Sequence, residues 1–296
     1  MHTTGSREPG AHKPASRRRI PWQLRLMRLA FSRLGPVIPG PMASWAYRLW
    51  FQTRRYPASA MEQLAHSRAV RWTLSVEGIP VAVYRWGSGR VVVFVHGWSG
   101  RATQVAHFIE PLVQAGFQVV AFDAPAHGVS PGRRTNIFEC AAALAAVVRE
   151  CGPVHGILTH SFGGMVLAYA LRHGGVAAGR VVCISPPANL EFLIASFIRS
   201  LSLPATVVAV LRRRQERRFG ADLSERISTD SNVRTLAVPA LIIHDVDDRD
   251  VPWRQGSRIA AAWPGARFRK TRGLGHRRIL RDPATIDVVV EFFRAQ

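Results

Sequence analysis

The 296-residue chain is expected to fold as an α/β protein. The expected form is a mostly parallel, eight-stranded sheet with helices on both faces and a helical lid inserted late in the chain. Three observations predict it. Short runs rich in Val and Ile recur between residues 70 and 270. Stretches with helical spacing separate most of these runs. Apolar residues make up 47% of the chain, enough for a sizeable core.

Residues 1–20 are polar, rich in Gly, Pro, Ser and Arg, and are expected to be disordered. Residues 21–60 read as helical, broken by Pro36, Pro39 and Pro41. Residues 1–60 together form a basic N-terminal extension, and 61–296 the catalytic-type domain. Arg17, Arg18 and Arg19 precede an apolar stretch, as in an export signal. Arg25, Arg28 and Arg33 interrupt its core, so cleaved export is not expected. The segment reads instead as an amphipathic helix, either lying on an anionic membrane surface or packed on its own domain.

Strands are expected at 70–76, 81–85, 91–95, 118–122, 156–159, 181–184, 241–244 and 267–270. Helices are expected near 102–115, 136–150, 162–173, 254–262 and 284–294. The first two strands are joined by Glu77-Gly78-Ile79-Pro80, which suits an antiparallel hairpin. One gap breaks the alternation. Residues 187–238 hold no strand, and the runs beginning at Asn189 and Ala205 look helical. An excursion this long is too large for a loop and is read as a lid. In it, Phe192, Leu193, Ile194, Phe197, Ile198, Leu201 and Leu203 are expected to line an apolar acyl site.

In a doubly wound sheet, reactive groups gather at the carboxyl ends of the strands. Five strands of this chain end in polar clusters. His96-Gly97-Trp98-Ser99-Gly100 follows the third, and Asp123 to Gly128 the fourth. Thr159-His160-Ser161-Phe162-Gly163 follows the fifth. His244 to Pro252, with Asp245, Asp247, Asp248 and Asp250, follows the seventh. Gly273-Leu274-Gly275-His276 follows the eighth. The Ser161 stretch matches the G-x-S-x-G pattern of a nucleophile on a strand-to-helix turn, except that Thr159 replaces the first Gly. An ordinary helix N-cap is the other reading of Ser161.

These segments, over roughly residues 68–296, resemble the α/β-hydrolase superfamily in its serine-nucleophile branch. The resemblance implies a nucleophile elbow and a catalytic triad in the chain order Ser, acid, His, here Ser161, Asp248 and His276. The acid segment is similar to H-G-x-x-D-x-x-V-P, with Asp245 where Gly is usual; Asp245, Asp247 and Asp250 remain alternatives for the acid. His276 would act as base, and Asp248 would orient its ring. The oxyanion hole would use the backbone N–H groups of Trp98 and Phe162. His96 is read as a structural hydrogen-bonder. Gly97 and Gly163 permit close approach of backbone. Asp123 is read as a loop brace, and His127 and His160 as structural.

The resemblance implies a carboxylesterase-like serine hydrolase acting on a small or medium acyl ester, or a thioester, through an acyl-enzyme. Peptidase, lactonase and haloperoxidase activities use the same triad. A non-catalytic or membrane-peripheral binding protein on this scaffold is the rival of another class. No metal set, phosphate loop or dinucleotide fingerprint occurs, so no cofactor is expected. The net charge is +21, almost all from arginine, since Lys13 and Lys270 are the only lysines. Nucleic-acid binding is not expected, because the arginines lack interleaved aromatics on a recognisable module. Peripheral membrane contact is assigned to residues 20–35. Cys140, Cys151 and Cys183 match no metal motif and read as buried thiols in a reducing compartment. A cytoplasmic or membrane-peripheral location is expected.

Overall fold

The computed structural model describes residues 21–295. The expected disorder of residues 1–20 lies outside that range. Three helices open the described chain, α1 (Trp22–Leu34), α2 (Pro39–Trp50) and α3 (Ala60–Arg68). Pro39 and Pro41 were expected to break helix, yet both sit in the first turn of α2. Their missing N–H groups cost nothing there, because first-turn donors have no intrahelical acceptor. Helix α3 was not anticipated. Its signal was present in Ser59 and Glu62, which form a reciprocal capping box.

Strands β1 (Val70–Val76) and β2 (Ile79–Trp86) form the antiparallel hairpin. The turn is tighter than expected, with Glu77 and Gly78 alone at its tip, both with positive φ. There follow β3 (Arg90–Val95), α4 (Ala106–Gln114), β4 (Phe117–Phe122), α5 (Ile137–Cys151), β5 (Val154–His160), α6 (Phe162–His173) and β6 (Arg180–Ile184). After the insertion described below come β7 (Ala240–Asp245), α11 (Arg254–Ala262), β8 (Arg267–Thr271), α12 (Gly275–Arg278) and α13 (Pro283–Arg294). The sheet has eight strands in the order β1-β2-β4-β3-β5-β6-β7-β8. Every pairing beyond β2 and β4 is parallel.

Strand β3 shows why its sequence is continuously apolar. Val91, Val93 and Val95 point into one core, with α5 and α6. Val92 and Phe94 point into the other, with α4 and α13. A central strand covered on both faces has no polar side to offer.

The expected helical insertion lies between β6 and β7. It comprises α7 (Leu190–Leu201), α8 (Ala205–Phe219), α9 (Leu223–Ile227) and α10 (Thr229–Asn232). Helices α1 and α2 pack against it through a third core of Phe31, Ala43, Ala46, Tyr47, Leu201, Leu203, Val207 and Leu211. Phe31 stacks on Trp45 at 4.7 Å between ring centroids. Arg28 Nε donates to the Ser200 carbonyl at 2.8 Å. Two arginines of α8 serve the same contact. Arg214 donates to Ser44 Oγ at 2.9 Å and lies over the Tyr47 ring, and Arg218 donates to the Tyr47 hydroxyl at 3.3 Å. These arginines therefore join the insertion to the N-terminal helices.

Phe31→Ala is expected to destabilise the protein by about 3–5 kcal/mol, the usual cost of emptying a buried aromatic site. Urea unfolding measures it. An unchanged midpoint would mean that the third core adds nothing to the fold.

Candidate active site

The site begins with a backbone turn. Ser161 joins β5 to α6 with φ +53° and ψ −123°, a conformation that costs a non-glycine residue about 1–3 kcal/mol. Its side chain makes no capping hydrogen bond to α6, which removes the N-cap reading. Two glycines make the turn possible. A Cβ on Gly163 would overlap the backbone carbonyls of Val95 and His96, so α6 starts hard against the end of β3. A Cβ on Gly97 would sit 3.0 Å from the Ser161 Cβ.

Thr159, the departure from the G-x-S-x-G pattern, is fully buried. Its hydroxyl donates back to the Val182 carbonyl at 3.4 Å. Gly164 stands nearby on α6, where an added Cβ would make ordinary contact with Thr159 Oγ1 at 3.5 Å but would crowd the Pro186 Cβ at 2.8 Å.

The structure brings Ser161, His276 and Asp248 together. His276 Nε2 lies 3.0 Å from Ser161 Oγ, and His276 Nδ1 lies 2.7 Å from Asp248 Oδ2. A carboxylate can only accept, so Nδ1–H donates to Asp248, and a neutral ring then presents Nε2 as acceptor to the Ser161 hydroxyl. Asp248 Oδ1 accepts from the backbone N–H groups of Asp250 and Val251, each at 2.9 Å. His244 Nε2 sits 3.5 Å from Asp248 Oδ2 and 2.8 Å from the Val251 carbonyl. Burial pushes the Asp248 carboxyl up, but the imidazoles of His244 and His276 and the Val251 N–H outweigh it and hold it well below the usual carboxylate range.

The other aspartates take different places. Asp245 accepts from Thr271 Oγ1 at 2.8 Å and from the backbone N–H groups of Asp247, Leu274 and Gly275. Asp247 Oδ2 accepts from the Gly273 N–H at 2.9 Å. Neither meets the His276 ring; both brace the loop that carries it. The sequence showed Asp245 only as an odd residue where Gly is usual. Its position at the end of β7, beside the end of β8, gives it this work. Asp250 is exposed and contributes only its backbone N–H to Asp248.

Buried histidines frame the site. His96 donates from Nδ1 to the Gly97 carbonyl at 2.8 Å and accepts at Nε2 from the Ala124 N–H. His160 Nε2–H donates to the His276 carbonyl at 2.9 Å, so this residue holds the backbone of the facing loop rather than packing passively. Burial lowers the pKa of His96 to about 4, and those of His127 and His160 to about 3. Asp123 accepts from the Ala102 and Val129 N–H groups and from the Tyr84 hydroxyl, which makes it a loop brace.

The backbone N–H groups of Trp98 and Phe162 have no intramolecular acceptor among the described residues. Their side chains meet edge to face at 5.1 Å, next to Ser161. Two compartments open from Ser161. One is a cavity of about 400 Å³ lined by apolar groups from α2, α5, α6 and the insertion. The other is wider, about 720 Å³, with Arg54, Arg101, Arg277 and Arg281 against Glu62 and Asp250. Trp98 and Ser161 line both. Of the seven insertion residues expected at an acyl site, only Leu193 and Phe197 line the apolar cavity. Ile194 is buried in the main core, while Leu201 and Leu203 belong to the third core and Ile198 packs against both. A helix shows only one stripe to a cavity, and the rest of α7 is spent on holding the insertion down.

With the fold and this geometry in place, the comparisons agree. Residues 92–287 match the model of the alpha/beta hydrolase family, and the chain belongs to that family. It is 28% identical to a non-heme haloperoxidase of Rhodococcus erythropolis, covering 68% of this chain and 90% of the relative. It is 26% identical to an esterase of Escherichia coli, covering 69% and 87%. Among solved structures, a bromoperoxidase from Bacillus anthracis superposes with a TM-score of 0.60 at 17% identity, covering 76% of this chain and 99% of that one. An esterase from a Rhodococcus species gives 0.56 at 20% identity, covering 77% and 99%.

The three neutral histidines predict acid sensitivity. Unfolded, each binds a proton near pH 6.5; folded, none does until about pH 3–4. The unfolded state therefore holds more protons in this window, and stability falls as the pH drops from about 6.5 towards 4. Three such sites give a slope approaching about 4 kcal/mol per pH unit. Urea midpoints measured across the window test it, and a flat profile would contradict it. Asp245→Ala is expected to release the 273–275 loop, lowering the unfolding midpoint and raising hydrogen exchange at Leu274 and Gly275. Unchanged exchange there would remove its bracing role.

Proposed function

We propose that this protein is a serine hydrolase that cleaves a carboxylic ester, or a thioester, of an apolar acyl group through an acyl-enzyme. The single observation carrying this reading is the continuous path from Ser161 Oγ through His276 to Asp248, at 3.0 and 2.7 Å. A serine hydroxyl needs an adjacent base to become a nucleophile at neutral pH. His276 Nε2 takes the proton as Ser161 Oγ bonds to the acyl carbon. The imidazolium formed is stabilised by Asp248, whose carboxylate stays ionised for the reasons given above. The ring then delivers its proton to the leaving oxygen or sulfur, and the same steps with water release the acid.

The carbonyl oxygen becomes negative in the tetrahedral intermediate. The free N–H groups of Trp98 and Phe162 are the donors assigned to it, and Phe162 adds the positive end of α6. The apolar cavity takes the acyl chain and the wider arginine-bearing compartment takes the leaving group. The insertion that roofs the apolar cavity acts as the lid of this reading. A cytoplasmic location fits three free thiols, Cys140, Cys151 and Cys183. The haloperoxidase name carried by a relative supports a second reading, in which peroxide replaces water as acceptor. Peroxide- and bromide-dependent bromination, assayed beside ester cleavage, separates the two.

Ser161→Ala is expected to lower kcat/KM for p-nitrophenyl esters by at least about 10⁴-fold and to abolish labelling by a fluorophosphonate. Turnover surviving in the variant would end the proposal. For the parent enzyme, kcat/KM is expected to rise by up to about fourfold per added methylene from acetyl upward until the cavity is full. Leu193→Trp should shorten the preferred chain. A flat series would sink the assignment of the apolar cavity while leaving the nucleophile intact.

A further inference from the structure

We infer that α1 and the α1–α2 turn dock this protein on an anionic lipid bilayer. Among the described residues, eleven large apolar side chains are exposed. Six of them fall between residues 22 and 38. Trp22 is 67% exposed, Leu26 55%, Leu29 53%, Leu34 46%, Val37 76% and Ile38 41%. Scattered exposed apolar residues are ordinary, but a contiguous set is a contact surface.

The pattern along α1 explains how the set arises. Leu24, Arg28 and Phe31 turn inward, towards α7 and the third core, and Met27 on the same side is half-buried. Trp22, Leu26 and Leu29 repeat at helical spacing on the opposite face, with exposed Arg25 and Arg33 beside them. The helix is thus apolar on both sides, and only one side is covered. Val37 and Ile38 are exposed just past the end of the helix.

Charge selects the occupant. No acidic residue occurs between Glu8 and Glu62, while Arg17, Arg18, Arg19, Arg25, Arg28 and Arg33 fall in that interval. An apolar stripe edged by arginine, with a tryptophan at its end, suits the boundary between lipid headgroups and acyl chains. Residues 1–20 offer little to cover the stripe themselves, since Met1 and Ile20 are their only large apolar side chains. No described helix is long and apolar enough to cross a membrane, so the contact is interfacial. The docked element also bears on the site. Helix α1 packs on α7, and the end of α2 supplies Leu49, Trp50 and Phe51 to the wall of the apolar cavity. A bilayer contact at α1 therefore sets that cavity close to a source of acyl chains.

The test is flotation of the full chain with vesicles of phosphatidylcholine alone, or of phosphatidylcholine with phosphatidylglycerol, at low and high salt. Binding is expected only with phosphatidylglycerol and is expected to weaken with salt. Leu26→Glu/Leu29→Glu should lower partitioning by at least about tenfold, and Arg25→Gln/Arg33→Gln by about fivefold per arginine. Both variants should keep the parent's circular dichroism spectrum, a check that does not depend on any catalytic reading. Parent protein that ignores anionic vesicles, or a leucine variant that is folded and binds as tightly as the parent, would overturn the inference. So would a dimer, seen by light scattering, that the leucine variant converts to monomer, because the face would then belong to a second copy.

Discussion

The site depends on the close approach of α6 to the end of β3, an approach that only a glycine at position 163 allows. Any side chain there would meet the carbonyls of Val95 and His96. Because the helix starts so close, the chain must reverse within Ser161 itself, and that residue takes the positive φ that lifts its hydroxyl off the sheet. Next to this turn the Phe162 ring meets the Trp98 ring edge to face. The strain at Ser161 is sustained by the surrounding order. Its N–H donates to the Ile184 carbonyl at 2.9 Å, and β3 and β6 grip β5 from either side.

Electrostatics then separates the ionisable groups into two kinds. Asp248 and Asp245 are buried carboxylates supplied with enough N–H and O–H donors to remain charged. His96, His127 and His160 are buried imidazoles with too little to stabilise a charge, so they remain neutral braces. His276 is held by members of both kinds. Its ring is oriented by Asp248, its carbonyl by His160, and the loop before it by Asp245 and Asp247. Four residues from the ends of two strands, β5 and β7, thus fix one imidazole, three of them through backbone amides or the carbonyl of the loop that carries it.

The insertion and the N-terminal helices form one packed unit above the sheet. Apolar side chains of α7 are divided between the cavity and the third core, and arginines of α8 reach back to Tyr47 and Ser44. The shape of the apolar compartment therefore depends on residues near the start of the chain as much as on those near Ser161. Such coupling lets a change at α1 alter the room available to an acyl chain without touching any polar group of the site.

Much of this was legible in the sequence. Runs dominated by apolar residues marked β3 to β7, because a strand covered on both faces leaves no polar option, and alternation marked β1 and β2; the edge strand β8 carries a single apolar residue, Phe268. Ser161, Asp248 and His276 were visible as polar residues following strands, since a parallel sheet brings those ends together whatever their distance along the chain. The remainder was decided by tertiary structure. Which aspartate meets the imidazole turned on which oxygens already had donors, and residue type alone does not carry that. Whether Thr159 could be tolerated turned on its buried surroundings, where its hydroxyl finds the Val182 carbonyl on the neighbouring strand. Which apolar residues of α7 face a cavity and which face a core turned on the partner helices, for helical spacing fixes the relative sides of a residue but never what lies against each side.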